Sequence, residues 1–330
     1  MNRFRLMGLI FCVGVLLAIV PAPTQPFTAV STVLELTKPE LSKSEPTEFF
    51  PPLATGLSAS ELLSQPLTPS VAYETYELAR STVHVLRVPT EHFVVTPAVS
   101  EELQPLEGFA QSTGAIAGVN GGFFDPANQL TTSHVVIQGE WVADPTENDR
   151  LITNPDLTTY LDRILNRSEF RQYQCGALIQ YDITAHQDPI PEGCQLISSL
   201  GAGPRLLPQL TLVEEAFAEI VEGEFVRDAI GSRQPNARTA IGLTDSGEIL
   251  LVMAAQQSES PTDSGMTLPE LANFMGILGA TAAMNLDGGS SSGLYYRGQA
   301  VQGEIFYGRV NAEGDRIVRP VKSVLLVHGR

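Results

Sequence analysis

Two short apolar runs in this chain stop at a polar residue and then at a pair of glycines. Residues 115–119 lead into Asn120-Gly121-Gly122-Phe123-Phe124-Asp125, and residues 282–286 lead into Asp287-Gly288-Gly289-Ser290-Ser291-Ser292. Runs this short read as strands, since a helix needs about ten residues or more. Paired glycines let the backbone turn sharply or pass close to another segment. Such junctions demand a fold that brings strand ends together. Further strands are predicted at 81–88, at 93–95, in a hairpin over 134–142 with Gly139 at its turn, and in a strand–turn–strand over 241–253 around Asp245-Ser246-Gly247. More follow over 294–328, ending in the apolar stretch 321–327.

Helices are fewer. Residues 101–111 read as a short helix ended by Gly114. Residues 157–170 read as another, with Leu157, Leu161, Ile164 and Leu165 on one face. A third opens at Thr267, which with Glu270 forms a capping box. Pro269 is tolerated in its first turn, Leu268, Leu271, Met275 and Leu278 make its buried face, and Gly279 stops it. These helices do not alternate regularly with the strands, and there is no repeat. The pattern predicts an α+β fold of mixed or antiparallel sheets with a few packed helices, in a single domain over 71–330.

The N-terminal segments read differently. Arg3 and Arg5 precede an uncharged run over 6–20, short of the roughly 20 apolar residues of a spanning helix. Val20-Pro21-Ala22 offers small residues for cleavage, but Pro23 follows. Residues 1–22 are therefore a signal peptide or an uncleaved anchor, and either implies export to the periplasm, the exterior or the outer side of a membrane. Cys12 lies in this run, behind a Phe11 too bulky for a lipoprotein signal. Residues 23–70 hold eight prolines among many Ser and Thr, as in an extended tether.

Hydrophobic residues make up 43% of the 330 and charged residues 17%, which excludes a wholly disordered chain, a coiled coil and a polytopic membrane protein. The formal net charge of −17 leaves no electrostatic footprint for nucleic acid. It leaves room for one local cationic pocket. Cys175 and Cys194 remain outside the export segment. In an oxidising compartment they are expected to pair, closing a loop of about 20 residues for about 3 kcal/mol in the chain-entropy account. No CxxC or HExxH accompanies them, so they are not a zinc site.

Asp287 stands at a strand end before two glycines and three hydroxyls. It can serve as general acid, base or nucleophile, or fix a sugar hydroxyl. Gly288 and Gly289 can turn N–H groups toward an oxyanion, and Ser290 can add a donor. An ordinary turn is the plainer alternative. The Asn120 junction repeats the pattern, with Phe123 and Phe124 as walls and Asp125, before Pro126, as a binding or a turn residue. Arg238 opens the strand Arg238-Thr239-Ala240-Ile241-Gly242, where a guanidinium suits a phosphate or carboxylate, or a surface ion pair. Arg205, after Gly201-Ala202-Gly203-Pro204, is a weaker candidate. That segment lacks the third glycine of a dinucleotide fingerprint and the lysine of a phosphate loop. No GxSxG surrounds the serines, and the five histidines are scattered. Capping outweighs catalysis as the reading of Glu270.

Taken in order, NGGFFD at 120–125, GAGP at 201–204, RTAIG at 238–242, GMTLPELA at 265–272 and NLDGGSSS at 285–292 resemble the phosphodiester glycosidase family. The resemblance spans most of residues 71–330. It implies hydrolysis of a sugar-1-phosphodiester, a glycan or glycosyl-phosphate substrate, with release of free sugar and a phosphomonoester. It points to Asn120, Gly121, Gly122, Arg238, Thr239, Glu270, Asp287 and Gly288 as pocket residues. The expected catalytic set is Asp287, Arg238, Asn120 and Glu270. Gly121, Gly122, Asp125, Thr239, Gly288, Gly289 and Ser290 are expected to bind substrate. One departure stands out: family members often continue the strand after Met253 with Asp-Gly-Arg, and this chain reads Ala254-Ala255-Gln256-Gln257. Cleavage at the anomeric carbon builds oxocarbenium character that a carboxylate stabilises. Phosphate leaves readily and needs cations and N–H donors to hold it, the part expected of Arg238 and the Gly288-Gly289 turn. This chemistry requires no cofactor, although Asn120, Asp125 and Asp287 could collect a hard cation. A non-catalytic anionic-glycan-binding surface module and a serine-type esterase are the alternatives from other classes.

Overall fold

The computed structural model describes residues 69–298 and 303–330. The readings of 1–22 and 23–70 lie outside the described residues up to position 68. The strands build three sheets and a hairpin. A six-stranded sheet runs in the order β1 (Ala72–Leu78), β2 (Ser81–Pro89), β14 (Glu248–Ala255), β13 (Arg238–Thr244), β15 (Ala280–Asn285), β10 (Arg205–Leu207). A five-stranded sheet has β17 (Glu304–Tyr307), β16 (Gly293–Tyr296), β4 (Ala117–Asn120), β18 (Val321–Gly329) and β3 (Phe93–Gln104). A second has β6 (Glu140–Ala143), β5 (Val135–Ile137), β9 (Cys194–Gly201), β7 (Ser168–Cys175) and β8 (Leu178–Ala185). Strands β11 (Ala218–Val221) and β12 (Glu224–Asp228) form the hairpin. All of these pairings are antiparallel. The fold is α+β, and the sheets are antiparallel, not mixed.

One core joins the three sheets. Leu86, Ile241, Leu251 and Met284 meet Val95, Val119 and Leu325 of one five-stranded sheet and Phe170 and Leu200 of the other. The opposite face of the six-stranded sheet buries Val83, Val85, Leu250 and Val252 against Leu268, Leu271, Phe274 and Met275 of a helix over Leu268–Ile277. Covered on both faces, β14 is buried from Ile249 to Ala255, which is why its sequence is an unbroken apolar run. The helix opens as expected: Thr267 Oγ1 accepts from Glu270 N–H at 3.3 Å, and Glu270 Oε2 accepts from Thr267 N–H at 2.8 Å. Cys175 and Cys194 face each other across β7 and β9 and are disulfide-bonded, with Cα atoms 4.1 Å apart.

Two helical readings give way to strands. Residues 101–104 continue β3, and the helix runs over Leu106–Thr113, starting only after Pro105 and closing at Gly114 with φ of 70°. Residues 157–170 do not make one helix. A 3-10 turn over Pro155–Tyr160 and a short helix over Leu161–Leu165 pack Leu157, Leu161 and Ile164 on Leu151 and Ala216. The chain then turns into β7, paired on both sides by β8 and β9. Two full ladders and burial of Phe170 in the main core outweigh continuation of a local helix.

Candidate active site

Three strand ends meet where the sheets join. Asn120 ends β4, Arg238 and Thr239 open β13, and Asn285 ends β15 just before Leu286-Asp287. Asn120 is the knot. Its Nδ2 donates to the Asp287 carbonyl at 2.7 Å, and its Oδ1 accepts from Thr239 Oγ1 at 2.8 Å and Gly293 N–H at 3.1 Å. Asp287 N–H donates to the Gly121 carbonyl at 3.0 Å, and Leu286 N–H to Thr239 at 2.8 Å. The glycines are there for close approach. A Cβ on Gly121 would lie 2.8 Å from the Ser323 carbonyl carbon, and one on Gly122 would collide with the Gly201 carbonyl oxygen. Asn285 adds a further tie: its Nδ2 donates to Gly203 at 3.0 Å and Leu286 at 2.6 Å, locking the 201–204 loop against β15.

Asp287 opens into a cleft of about 340 Å³ lined by Phe123, Asn236, Asn285, the turn Gly288-Gly289-Ser290, Arg309 and Arg319, with Ala229 and Ile230 at one side. Concavities of similar volume elsewhere contain no residue of either glycine turn. Asp287 is the one carboxylate among the described lining residues. Burial pushes its carboxyl up to about 6, against the opposing pull of the Ser291 hydroxyl, the Gly288 N–H at 2.9 Å and the Arg319 charge. A carboxyl so placed changes protonation close to neutral pH, as acid–base and charge-stabilising groups do.

Several expected site residues are otherwise engaged. Arg238 borders the cleft but is 3% exposed, and its guanidinium is spent on the backbone. Nε donates to Met266 at 3.1 Å, Nη1 to Ile230 at 3.1 Å, and Nη2 to Gly231 at 2.6 Å and Gln234 at 3.0 Å. Four carbonyls occupy four of its five N–H groups, so it organises loops and is not free to grip an anion. Burial lowers it to about 10, and it stays charged at neutral pH. The Gly288-Gly289 turn is not an anion nest: Gly288 N–H goes to Asp287 Oδ1 and Gly289 N–H to the Ala237 carbonyl at 2.8 Å.

Glu270 does not reach the cleft. Its carboxylate caps the helix and pairs with Arg80 at the surface, and these contacts hold it below the usual carboxylate range against partial burial. Asp125 closes its own turn through Ala127 N–H at 2.8 Å and pairs with Arg150 at 2.7 Å. Thr239 is fully buried and serves Asn120. Asp125 is engaged outside the cleft lining that holds Asp287, Asn120 spends its side chain on Asp287, Thr239 and Gly293, and no group of three or more His, Cys, Asp or Glu among the described residues is placed to hold a metal ion. Arg205 lies on the edge strand β10, outside the cleft lining.

Among the described residues, the cleft cations without a salt bridge or a full set of backbone partners are Arg309 and Arg319. Arg319 Nη1 donates to Ser290 Oγ at 3.0 Å, and its guanidinium lies 5.0 Å from the centre of the Phe124 ring. Among the described residues, the Arg309 side chain donates only over a long contact, 3.4 Å, to Asn236 Oδ1. Neither forms a salt bridge with a carboxylate of the described residues. No motif contains them. The available signal was compositional: Arg309, Arg316 and Arg319 crowd one loop of a chain with 20 basic and 37 acidic residues. That loop is tied down by Gln256, which stands in the departure from the family pattern. Gln256 N–H donates to Gly308 at 2.8 Å, its Oε1 accepts from Val310 N–H at 3.3 Å, and its carbonyl accepts from Arg316 at 2.8 Å.

This architecture has counterparts. The zebrafish N-acetylglucosamine-1-phosphodiester alpha-N-acetylglucosaminidase catalytic domain, auto-inhibited by its pro-peptide, superposes with a TM-score of 0.57 at 19% identity, covering 81% of this chain and 86% of that one. A hypothetical protein from Synechocystis superposes with a TM-score of 0.50 at 17% identity, covering 80% of this chain and 64% of the other. At these identities the likeness is one of fold. No curated protein matches the sequence. The sequence profile of the phosphodiester glycosidase family matches residues 113–328, a span that contains both glycine turns, the disulfide, Arg309 and Arg319, and the chain belongs to that family.

Proposed function

We propose that this protein is an exported hydrolase that cleaves a sugar-1-phosphodiester, releasing free sugar and leaving a phosphomonoester. The observation that carries the reading is the pairing, in one cleft, of a single carboxylate with two guanidinium groups that form no salt bridge among the described residues. In a chain of net charge −17, two arginines that line one cleft without a salt bridge among the described residues suit a bound anion. Arg309 and Arg319, with the Ser290 hydroxyl, hold the phosphodiester. Asp287 faces the sugar carbon. As the C1–O bond breaks, its electron pair leaves with the phosphate oxygen, and Arg309 and Arg319 balance the growing charge. The ionised Asp287 stabilises the oxocarbenium, and water adds to C1 with loss of a proton. A phosphate leaving group makes a second carboxylate as general acid dispensable, which accords with the one carboxylate in the lining. The Cys175–Cys194 disulfide supports export to an oxidising compartment. The serine-esterase reading loses support because no histidine is among the described lining residues to activate Ser290.

The test is incubation with a panel of sugar-1-phosphodiesters of both anomeric forms, beginning with the N-acetylglucosamine-1-phosphodiester linkage for which the zebrafish enzyme is named. Free sugar and phosphomonoester should appear together. Binding without products would make the cleft a glycan-binding site instead, and covalent labelling of a serine would favour the esterase.

A further inference from the structure

Two histidines stack face to face beside the 201–204 loop. The rings of His134 and His186 are 3.7 Å apart and within 10° of parallel, and Trp141 meets both edge-on at 5.2 and 5.7 Å. His134 is 8% exposed. Each Nδ1 faces a carboxylate without hydrogen-bonding to it: His134 faces Asp144 at 3.7 Å and His186 faces Glu169 at 3.3 Å. Both Nδ1 atoms and Glu169 Oε2 are buried with no hydrogen-bond partner. Glu169 also carries Arg171, whose Nε donates to it at 2.7 Å. The next charges out are Asp188, which accepts from Ala185 N–H at 2.9 Å, and Arg205, which acts on it. Two carboxylates and one guanidinium thus surround the two stacked rings.

The cluster is wired to the cleft. The His134 carbonyl accepts from Gly201 N–H at 2.9 Å, and Glu169 stands opposite Gly201 on the other side of β9. The Gly201 carbonyl packs against Gly122, and Gly203 N–H donates to the Asn285 carbonyl at 3.0 Å, two residues before Asp287.

We propose that the His134–His186 stack is an acid-operated latch on the 201–204 loop. With His134 neutral, the rings stack and hold the loop against Gly122 and Asn285. A proton taken up by His134 draws its ring out of the stack toward Asp144 and releases the loop. Its effect on turnover rests on the function proposed above, whereas its effect on the loop does not. Burial, and then the neighbouring His186, lower His134 from 6.5 to about 4. The sign follows: the folded loop is favoured in full above pH 6.5, and that advantage is lost as pH falls toward 4.

Amide hydrogen exchange tests this without any substrate. Between pH 7 and 5 the protection factors of Gly201 and Gly203 should fall by up to about 20-fold, the change that a shift from 6.5 to about 4 gives over that interval. Amides of the β13–β14 ladder should hold theirs. His134→Phe keeps a flat ring in the stack but takes no proton, so its loop should keep its protection at pH 5. Equal losses in wild type and variant, or none in wild type, would overturn the latch. Should that variant fail to fold, His186→Phe and the NMR titration of His134 in the wild type decide, and a midpoint near 6.5 refutes the proposal. Loss of turnover at pH 5 with an unchanged loop would also refute it, whichever substrate the enzyme proves to cleave.

Discussion

Asn120-Gly121-Gly122 and Asp287-Gly288-Gly289 close two short apolar strands with the same pattern, yet they end up in opposite circumstances. At the first turn every polar side-chain atom of Asn120 has a partner, and the space beside both glycines is filled by Ser323 and Gly201. At the second, the nearest obstacle to a Cβ on Gly288 is the Ala237 carbonyl at 3.1 Å, and the carboxyl beside it opens into the cleft. A glycine pair after a strand therefore marks a junction. Whether the junction becomes frame or site depends on what the neighbouring segments fill, and on which polar group is left with its desolvation uncompensated.

Exchanging side chains at the two turns should separate these roles. The largest effect is expected for Asp287→Asn, which should lower kcat by about 1000-fold, as loss of charge stabilisation in a transition state does. The same change should stabilise the fold. With the folded carboxyl raised from 3.8 to about 6, wild-type stability is fully present below pH 3.8 and falls as pH rises through 6, a cost of up to about 3 kcal/mol that Asn avoids. Urea unfolding at pH 8 checks this. In the wild type, kcat/KM should rise with pH through about 6, and a fall there would make Asp287 a general acid.

Next comes Gly122→Ala, which should cost about 3 kcal/mol or more because backbone would collide with backbone, against about 1 kcal/mol for Gly288→Ala. Unfolding midpoints decide between them. Arg238→Ala should follow, at about 2–3 kcal/mol, for the carbonyls it leaves unpaired. Arg319→Ala should leave the melting temperature in place and lower kcat/KM by about 10- to 100-fold, the worth of one charged hydrogen-bonding group. If Arg238→Ala and Arg319→Ala exchange these outcomes, the division between frame and site is drawn in the wrong place.

Much of this could be read from the sequence because strands and caps are local. The 81–88 strand, the Gly139 hairpin, the Asp245-Ser246-Gly247 turn and the Thr267–Glu270 capping box all follow from residues within a few positions of one another. The reading of 157–170 failed where tertiary pairing overrode a helical period. Arg238 illustrates the limit at the site. Its type and position suited an anion, but the four carbonyls that consume it come from segments whose approach no local pattern records. Arg309 and Arg319 escaped notice for the converse reason. They sit in an aperiodic loop, and only the fold carries them to Asp287.

The knot at Asn120 has a kinetic consequence. Its side chain reaches Thr239 across 119 positions and Asp287 across 167, and Gly122 leans on Ser323 across 201. β18 lies between β3 and β4, inside its sheet and not at the edge. Contacts so distant along the chain close large loops before they return any stabilisation, which slows folding and prolongs exposure of apolar strands. During synthesis the native strand between β3 and β4 is missing until β18 has emerged. A nascent chain can build the β13–β14 ladder early, but its cleft comes together among the last events. Catalytic competence then reports completed folding, and truncation within β18 should abolish it as surely as loss of Asp287.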